Sequence, residues 1–299
     1  MTLSIQQVTK KYLDFIAVEE LSFTINKGEI FGLIGQNGAG KTTTFRMILD
    51  LQETTSGTIT WKGKHINSIN RDILGYLPEE RGIFPKMTVE DQLYFFGELH
   101  GKNKNELRKE VDGWITRFEL EDKRKSKAET LSKGNQQKVQ LIASFIHQPE
   151  FLILDEPFSG LDPVNTDLLK DAILSLKDKG TTILFSSHQM DHVEELCDHL
   201  CLLKRGVSLF TGSLIDLKMQ YGKIKLTLRT EIPKDELEKL EGVNSVQVER
   251  DHYILTLKNE AYAQSIFDFV TNGTYIEKFS LDYLSLDEIF KDKVARVHV

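Results

Sequence analysis

The sequence predicts an α/β fold over roughly the first two thirds of the chain and a small α+β domain after it. Three observations carry this prediction. Short apolar runs, EIFGLIG at 29–35, FLILD at 151–155 and TTILFSS at 181–187, read as strands buried on both faces of a parallel sheet. Helical patterns lie between and after them, at Val164–Lys177 and Met190–Cys197, and strands alternating with helices build such a sheet. Beyond about Leu217 the period shortens to two, as in KIKLTLRT, which marks a different kind of sheet.

Taken in order, LSFTI places Leu21, Phe23 and Ile25 on one face of a half-buried strand. The apolar run 29–35 ends in glycine before a helical stretch. Residues 88–148 are helix-rich and heavily charged. Leu107, Val111, Trp114, Ile115 and Phe118 recur there at helical spacing, so the segment reads as a folded helical insertion. FLILD, the helix after it, TTILFSS and the shorter CLLKRG at 201–206 complete the first domain, taken as 1–217.

In the second domain, 218–299, Ile224, Leu226 and Leu228 share a strand face. A helix runs from a starting Pro233 to a stopping Gly242. VNSVQVERDHYILTL reads as a hairpin turning at Asp251–His252. Ala263, Ile266, Phe267 and Val270 form a helical stripe, and Ser285 with Glu288 forms a capping box.

A length of 299 residues fits about two domains. A formal net charge of -7 argues against a general nucleic-acid binder, which carries a basic face. Two cysteines, Cys197 and Cys201, give no disulfide framework and fit a reducing cytoplasm. Their i,i+4 spacing could place both on one helix face, and plain core packing is favoured over metal binding. The N-terminus lacks a secretory apolar region, and no stretch approaches the ~18 apolar residues of a membrane helix. The chain is therefore expected not to span a membrane by itself.

Residues 35–42, GQNGAGKT, satisfy G-x-x-x-x-G-K-[ST] between a predicted strand and a predicted helix. Glycines let the backbone wrap closely around phosphates, and successive N–H groups at a helix N-terminus supply positive potential. The expected phosphate cradle is Gly35, Gln36, Asn37, Gly38, Ala39, Gly40, Lys41, Thr42 and the following Thr43. Lys41 is placed to reach the β- and γ-phosphates and the Thr42 hydroxyl to bind Mg²⁺. FLILDEP then delivers Asp155 and Glu156 to the C-terminal end of a strand, where α/β sheets bind ligands. Asp155 would hold Mg²⁺ directly or through water, and Glu156 would orient or deprotonate an attacking water.

Together these residues resemble the ATP-binding subunits of ABC transporters. GQNGAGKT is similar to that family's Walker A, LILDEP to its Walker B, SGLD at 159–162 to its D-loop, and His188 in LFSSHQM to its switch histidine. Tyr12 stands where the family's adenine-stacking aromatic is expected, and LSKGN at 131–135 fills the slot of the LSGGQ signature.

The resemblance covers about residues 1–217 and implies a P-loop ATPase with ATP and Mg²⁺ as its ligands. It implies a head-to-tail pair of subunits. Each nucleotide would lie between the Walker A of one and Ser132, Lys133, Gly134 and Asn135 of the other, with Asp162 organising the shared interface. The C-terminal part resembles the extension of some exporter-type members, the alternative being a general regulatory or dimer-stabilising domain. The implied partners are a second ATPase subunit and a separate integral membrane permease. That would place the protein in the cytoplasm, peripheral on the inner face of the membrane.

Two departures stand out. The usual Q-loop glutamine is Glu79, which could ligate Mg²⁺ or orient water but adds negative charge near the phosphates. Otherwise it points to solvent or pairs with Arg81. In the signature, Lys133 replaces a glycine and Asn135 a glutamine. A lysine at a helix N-terminus is unfavourable by about 0.3–1 kcal/mol in isolation, a sign that an arriving γ-phosphate would reverse. Two further readings fit less well. A soluble ABC-type ATPase acting on ribosomes or DNA usually brings paired domains or a coiled-coil insertion. A P-loop kinase would leave the signature, D-loop and switch histidine without a task.

Overall fold

The first 25 residues form a hairpin of β1 (Leu3–Tyr12) and β2 (Phe15–Ile25), and alternation along β2 buries Leu21, Phe23 and Ile25. β3 (Ile30–Ile34) is buried at all five positions and leads through the glycine-rich loop into α1 (Lys41–Ile48). β4 (Ser56–Trp61) and β5 (Lys64–His65) return to the hairpin, giving an antiparallel sheet of order β2-β1-β4-β5. β6 (Leu74–Leu77) precedes three helices, α2 (Val89–Leu99), α3 (Lys104–Arg117) and α4 (Lys133–Phe145). The chain continues as β7 (Phe151–Leu154), α5 (Pro163–Asp178), β8 (Thr182–Ser187), α6 (Met190–Leu196), β9 (His199–Lys204) and β10 (Val207–Ser213).

The computed structural model describes residues 2–80, 82–273 and 275–296. The chain divides into two units, residues 1–211 and 212–299.

The second sheet of the first unit has the order β10-β9-β3-β8-β7-β6. β3 pairs parallel with β8 and β9, and β7 pairs parallel with β6 and β8. The C-terminal ends of these five strands therefore lie along one edge. A single core joins the two sheets and α1, with Phe23 stacked on Phe31 at 4.7 Å and Trp61 on Phe151 at 4.9 Å. The helical segment is folded around Leu107, Val111, Trp114, Ile115 and Phe118, all buried, and Trp114 meets Phe145 of α4 at 4.6 Å.

β1, β4, β5, β6 and β10 have no counterpart in the sequence expectations. β1 carries exposed Gln6, Gln7 and Lys11 and its register shifts three times against β2, so its alternation is broken. β6 has only four residues. The two cysteines also differ from expectation. Cys197 follows the last turn of α6 in an extended conformation and Cys201 lies in β9, so they share no helix face, and both are buried and free.

His147, after α4, is buried with its Nε2 on the Leu74 carbonyl at 2.9 Å and its ring stacked on His100 at 3.8 Å. Burial, reinforced by His100, pushes this imidazole down from 6.5 to about 4. The unfolded chain takes up the proton near pH 6.5 and the folded chain only near pH 4. Stability from this residue is thus full above pH 6.5 and is lost as the pH falls toward 4. About 2 kcal/mol should disappear between pH 7 and pH 5. Urea unfolding at both values is expected to show this loss in the wild type and a smaller one in His147→Gln; equal losses would remove His147 as its source.

The second unit comprises α7 (Leu214–Tyr221), β11 (Lys225–Arg229), α8 (Lys234–Leu237), β12 (Val243–Glu249), β13 (His252–Leu257), α9 (Tyr262–Thr271), β14 (Lys278–Asp282) and α10 (Leu286–Arg296). Its antiparallel sheet, β12-β13-β11-β14, carries Leu226, Leu228, Val246, Leu255 and Leu257 into a core shared with Leu237, Ala263 and Ile266. The order from β11 to β14 is strand, helix, two strands, helix, strand, a split βαβ arrangement. The helix expected over 233–242 is only Lys234–Leu237. Lys239 and Leu240 donate three residues back instead, tightening the chain into β12. Ser285 and Glu288 cap α10 reciprocally, the Ser285 N–H donating to Glu288 Oε2 at 2.7 Å and the Glu288 N–H to Ser285 Oγ at 3.3 Å.

Candidate active site

Three strand ends converge on one cleft: β3 delivers the glycine-rich loop, β7 delivers Asp155 and Glu156, and β6 delivers Glu79. His188, after β8, and Gly35 are outside its lining and border it through Glu156 and Lys41. The cleft encloses about 350 Å³ and is lined by residues 36–43 together with Glu79, Asp155, Glu156, Phe15 and Ala17.

The loop is shaped by close backbone approach. Gly40 has φ +105°, and a Cβ there would lie 2.6 Å from the Ala17 carbonyl; at Gly35 it would lie 2.6 Å from the Leu203 carbonyl. α1 begins at Lys41 with no side-chain cap and no acidic residue in its first turn. A helix start of this kind suits an anion at its leading N–H groups.

Lys41 is buried. Its Nζ donates to the Gly35 carbonyl at 2.6 Å and stands 3.3 Å from Glu156 Oε1. The other carboxylate oxygen of Glu156 meets His188 Nδ1 at 2.8 Å. Glu156 is 9% exposed and has φ +50°, a backbone conformation that costs a non-glycine residue about 1–3 kcal/mol and recurs at functional positions. Its N–H donates to Ser186 Oγ at 2.9 Å, and that hydroxyl donates to Asp155 Oδ1 at 2.6 Å. Asp155 Oδ2 accepts from Thr42 Oγ1 at 3.0 Å. Burial pushes the Asp155 carboxyl above the usual range, against hydrogen bonds from Ser186 and Thr42 that lower it.

This donor set fits Mg²⁺. A hydroxyl and a carboxylate in contact are the hard oxygens the ion prefers, and a cation there would relieve the cost of keeping Asp155 charged under cover. The arrangement suits hydrolysis of a phosphoanhydride, with a phosphate cradle, a cation site and a fixed carboxylate in one place.

Not every expected residue meets there. Tyr12 is outside the lining; Gln52 Nε2 donates to its hydroxyl, and Lys10 Nζ lies 5.1 Å from its ring. Its register partner across the β1–β2 turn, Phe15, lines the cleft instead. Ser132, Lys133, Gly134 and Asn135 are also outside it. Ser132 caps α4, accepting from the Asn135 N–H at 3.3 Å, and Lys133 is exposed. Asp162 caps α5, accepting from the Asn165 N–H at 2.9 Å, a bond that holds its carboxyl below the usual range. Arg81, the other partner considered for Glu79, lies outside the described residues.

Sequence reasoning missed Phe15, Ser186, Gln137 and Gln140. Ser186 was within reach, since it sits two residues before His188 in LFSSH. Gln137 Nε2 donates to the Pro157 and Ser159 carbonyls, each at 3.0 Å, and so fastens α4 to the loop after Glu156.

Residues 18–159 match the family model described as ABC transporter, and residues 212–294 match that of the C-terminal domain of ATP-binding proteins like DrrA1-3. The chain is 48% identical over 296 residues, 99% of both chains, to the uncharacterized ABC transporter ATP-binding protein YhaQ of Bacillus subtilis. It is 32% identical over 270 residues to Nod factor export ATP-binding protein I of Burkholderia pseudomallei, spanning 89% of this chain and 85% of that one. Among solved structures, an ATP-binding subunit of an ABC transporter superposes with a TM-score of 0.70 at 31% identity, covering 74% of this chain and 93% of that one.

Proposed function

The chain belongs to the ATP-binding proteins of ABC transporters, and on that premise we propose that it hydrolyses ATP to drive export through a separate membrane permease. One observation carries the hydrolytic part: Lys41, Asp155, Glu156 and His188 form a single bonded cluster at the C-terminal edge of the parallel sheet.

Lys41 and the N-terminus of α1 hold the β- and γ-phosphates. Thr42 and Asp155 would hold Mg²⁺, which when bound would neutralise phosphate charge. Glu156 takes a proton from the water that attacks the γ-phosphorus, while the bond to ADP breaks toward the leaving oxygen. His188, on the opposite carboxylate oxygen, keeps Glu156 oriented. The Ser132–Asn135 helix start, with Ser132 and Lys133 exposed, serves the nucleotide of a second subunit, in a head-to-tail dimer.

Export is supported by the relative whose name records Nod factor export. Among the described residues no helix is long and apolar enough to cross a membrane, and a separate permease fits that. Fractionation tests the assignment. The chain should sediment with membranes and co-purify with a polytopic protein; recovery on ribosomes or DNA would overturn it.

The dimer makes its own prediction. Lys133 stands at the first position of α4, where a γ-phosphate from the other subunit would offset its charge. In a hydrolysis-deficient background, Lys133→Gly should weaken ATP-driven dimerisation at low salt and less so at high salt. Unchanged affinity across salt concentrations would exclude this role.

A further inference from the structure

Gln140 lies mid-way along α4 between Val139 and Leu141 and is 7% exposed. A buried primary amide is costly unless its hydrogens find acceptors. Here Nε2 donates to the Pro78 carbonyl at 3.3 Å and to the Glu80 carbonyl at 3.0 Å, which uses both hydrogens. These two carbonyls flank Glu79, and Glu79 lines the phosphate cleft with Asp155 and Glu156.

The bonds reach across 60 residues and more, from a helix to a loop with no regular structure of its own. One helical turn earlier, Gln137 holds the Pro157 and Ser159 carbonyls. Residues three apart on a helix share a face. One face of α4 therefore grips the loop carrying Glu79 and the loop leaving Glu156. Gln137, Gln140, Glu79, Asp155 and Glu156 also line one small cavity together.

We propose that Gln140 is the positioning residue for Glu79. It fixes the backbone on both sides of that carboxylate, and so sets how the cleft takes up Mg²⁺ with ATP. This rests on the reading of the cleft as an ATP–Mg²⁺ site. Gln140 touches neither phosphate nor metal and acts through Glu79. Because α4 starts at Lys133, capped by Ser132, the same bonds make the placement of Glu79 respond to whatever meets the start of that helix.

The test is Gln140→Leu, similar in size but unable to donate, beside Glu79→Ala and the double variant, all in the full chain. The first readout is calorimetric ATP binding titrated with Mg²⁺, together with binding in EDTA. Gln140→Leu is expected to raise the Mg²⁺ concentration for half-maximal binding about tenfold, the scale of losing a pair of hydrogen bonds. Binding in EDTA should stay within about twofold. Glu79→Ala should shift the Mg²⁺ midpoint as well, and in that background Gln140→Leu should add nothing. Hydrogen exchange at Glu79 and Glu80 should quicken in Gln140→Leu. Gln140→His, which keeps a donor, should recover part of the midpoint.

An unchanged midpoint, or effects that multiply in the double variant, overturns the proposal. So does loss of EDTA binding in step with the midpoint, which marks general damage. If Gln140→Leu does not fold, Gln140→Glu replaces it. It keeps the size while turning acceptors toward the two carbonyls, and it must shift the same midpoint. A wild type that binds no ATP at all is a different result, and it refutes the reading of the cleft rather than the role of Gln140.

Discussion

Glu156→Gln is expected to bind ATP at least as well as the wild type and to hydrolyse it about 10²–10⁴-fold more slowly, the usual scale for a positioned general base. The geometry explains why the two effects separate. Glu156 holds Lys41 Nζ 3.3 Å from one oxygen and His188 Nδ1 2.8 Å from the other. A neutral amide of the same shape releases Lys41 from an ion pair, leaving its charge to the phosphates. The backbone N–H to Ser186 Oγ is unaffected by the change, so the strand end stays in place. Proton abstraction, in contrast, needs the carboxylate. Single-turnover hydrolysis together with equilibrium binding separates the two, and wild-type turnover in the variant would remove Glu156 from the role.

Lys41→Ala should have the complementary effect, weakening ATP binding by about ten- to a hundredfold, as expected for the loss of a hydrogen bond between charged groups. Lys41 is buried and tied to the Gly35 carbonyl at 2.6 Å, so its ammonium is already held at the phosphate loop. Its removal also leaves the Glu156 carboxylate without its cation under cover, which destabilises the fold. The binding measurement is therefore paired with a thermal melt. Undiminished ATP affinity in a folded Lys41→Ala protein would contradict the phosphate-loop assignment.

What could be read beforehand differed from residue to residue. The phosphate loop was legible because its parts are consecutive and its strand and helix are local. Asp155 and Glu156 were legible because four apolar residues announce the buried strand before them. Phe15 was not. It follows a Tyr12 that fits the expected aromatic slot, and only the pairing of these two across the β1–β2 turn places Phe15 over the cleft. Gln140 was hidden for another reason. In a helical pattern it looks like one polar residue in an apolar run, and its acceptors are main-chain carbonyls of residues whose identity carries no signal.

The sequence by itself determined the phosphate loop, the acidic pair and the change of period near residue 217. Each of these depends on neighbours within a few residues, where hydrogen bonding and hydrophobic periodicity act directly. Only the tertiary structure decided that Thr42 touches Asp155 across 113 residues and that His188 touches Glu156 across 32. Those contacts follow from strand order, with β8 lying between β3 and β7. Strand order is set by how buried faces pack together, a property that no local spacing in the chain records.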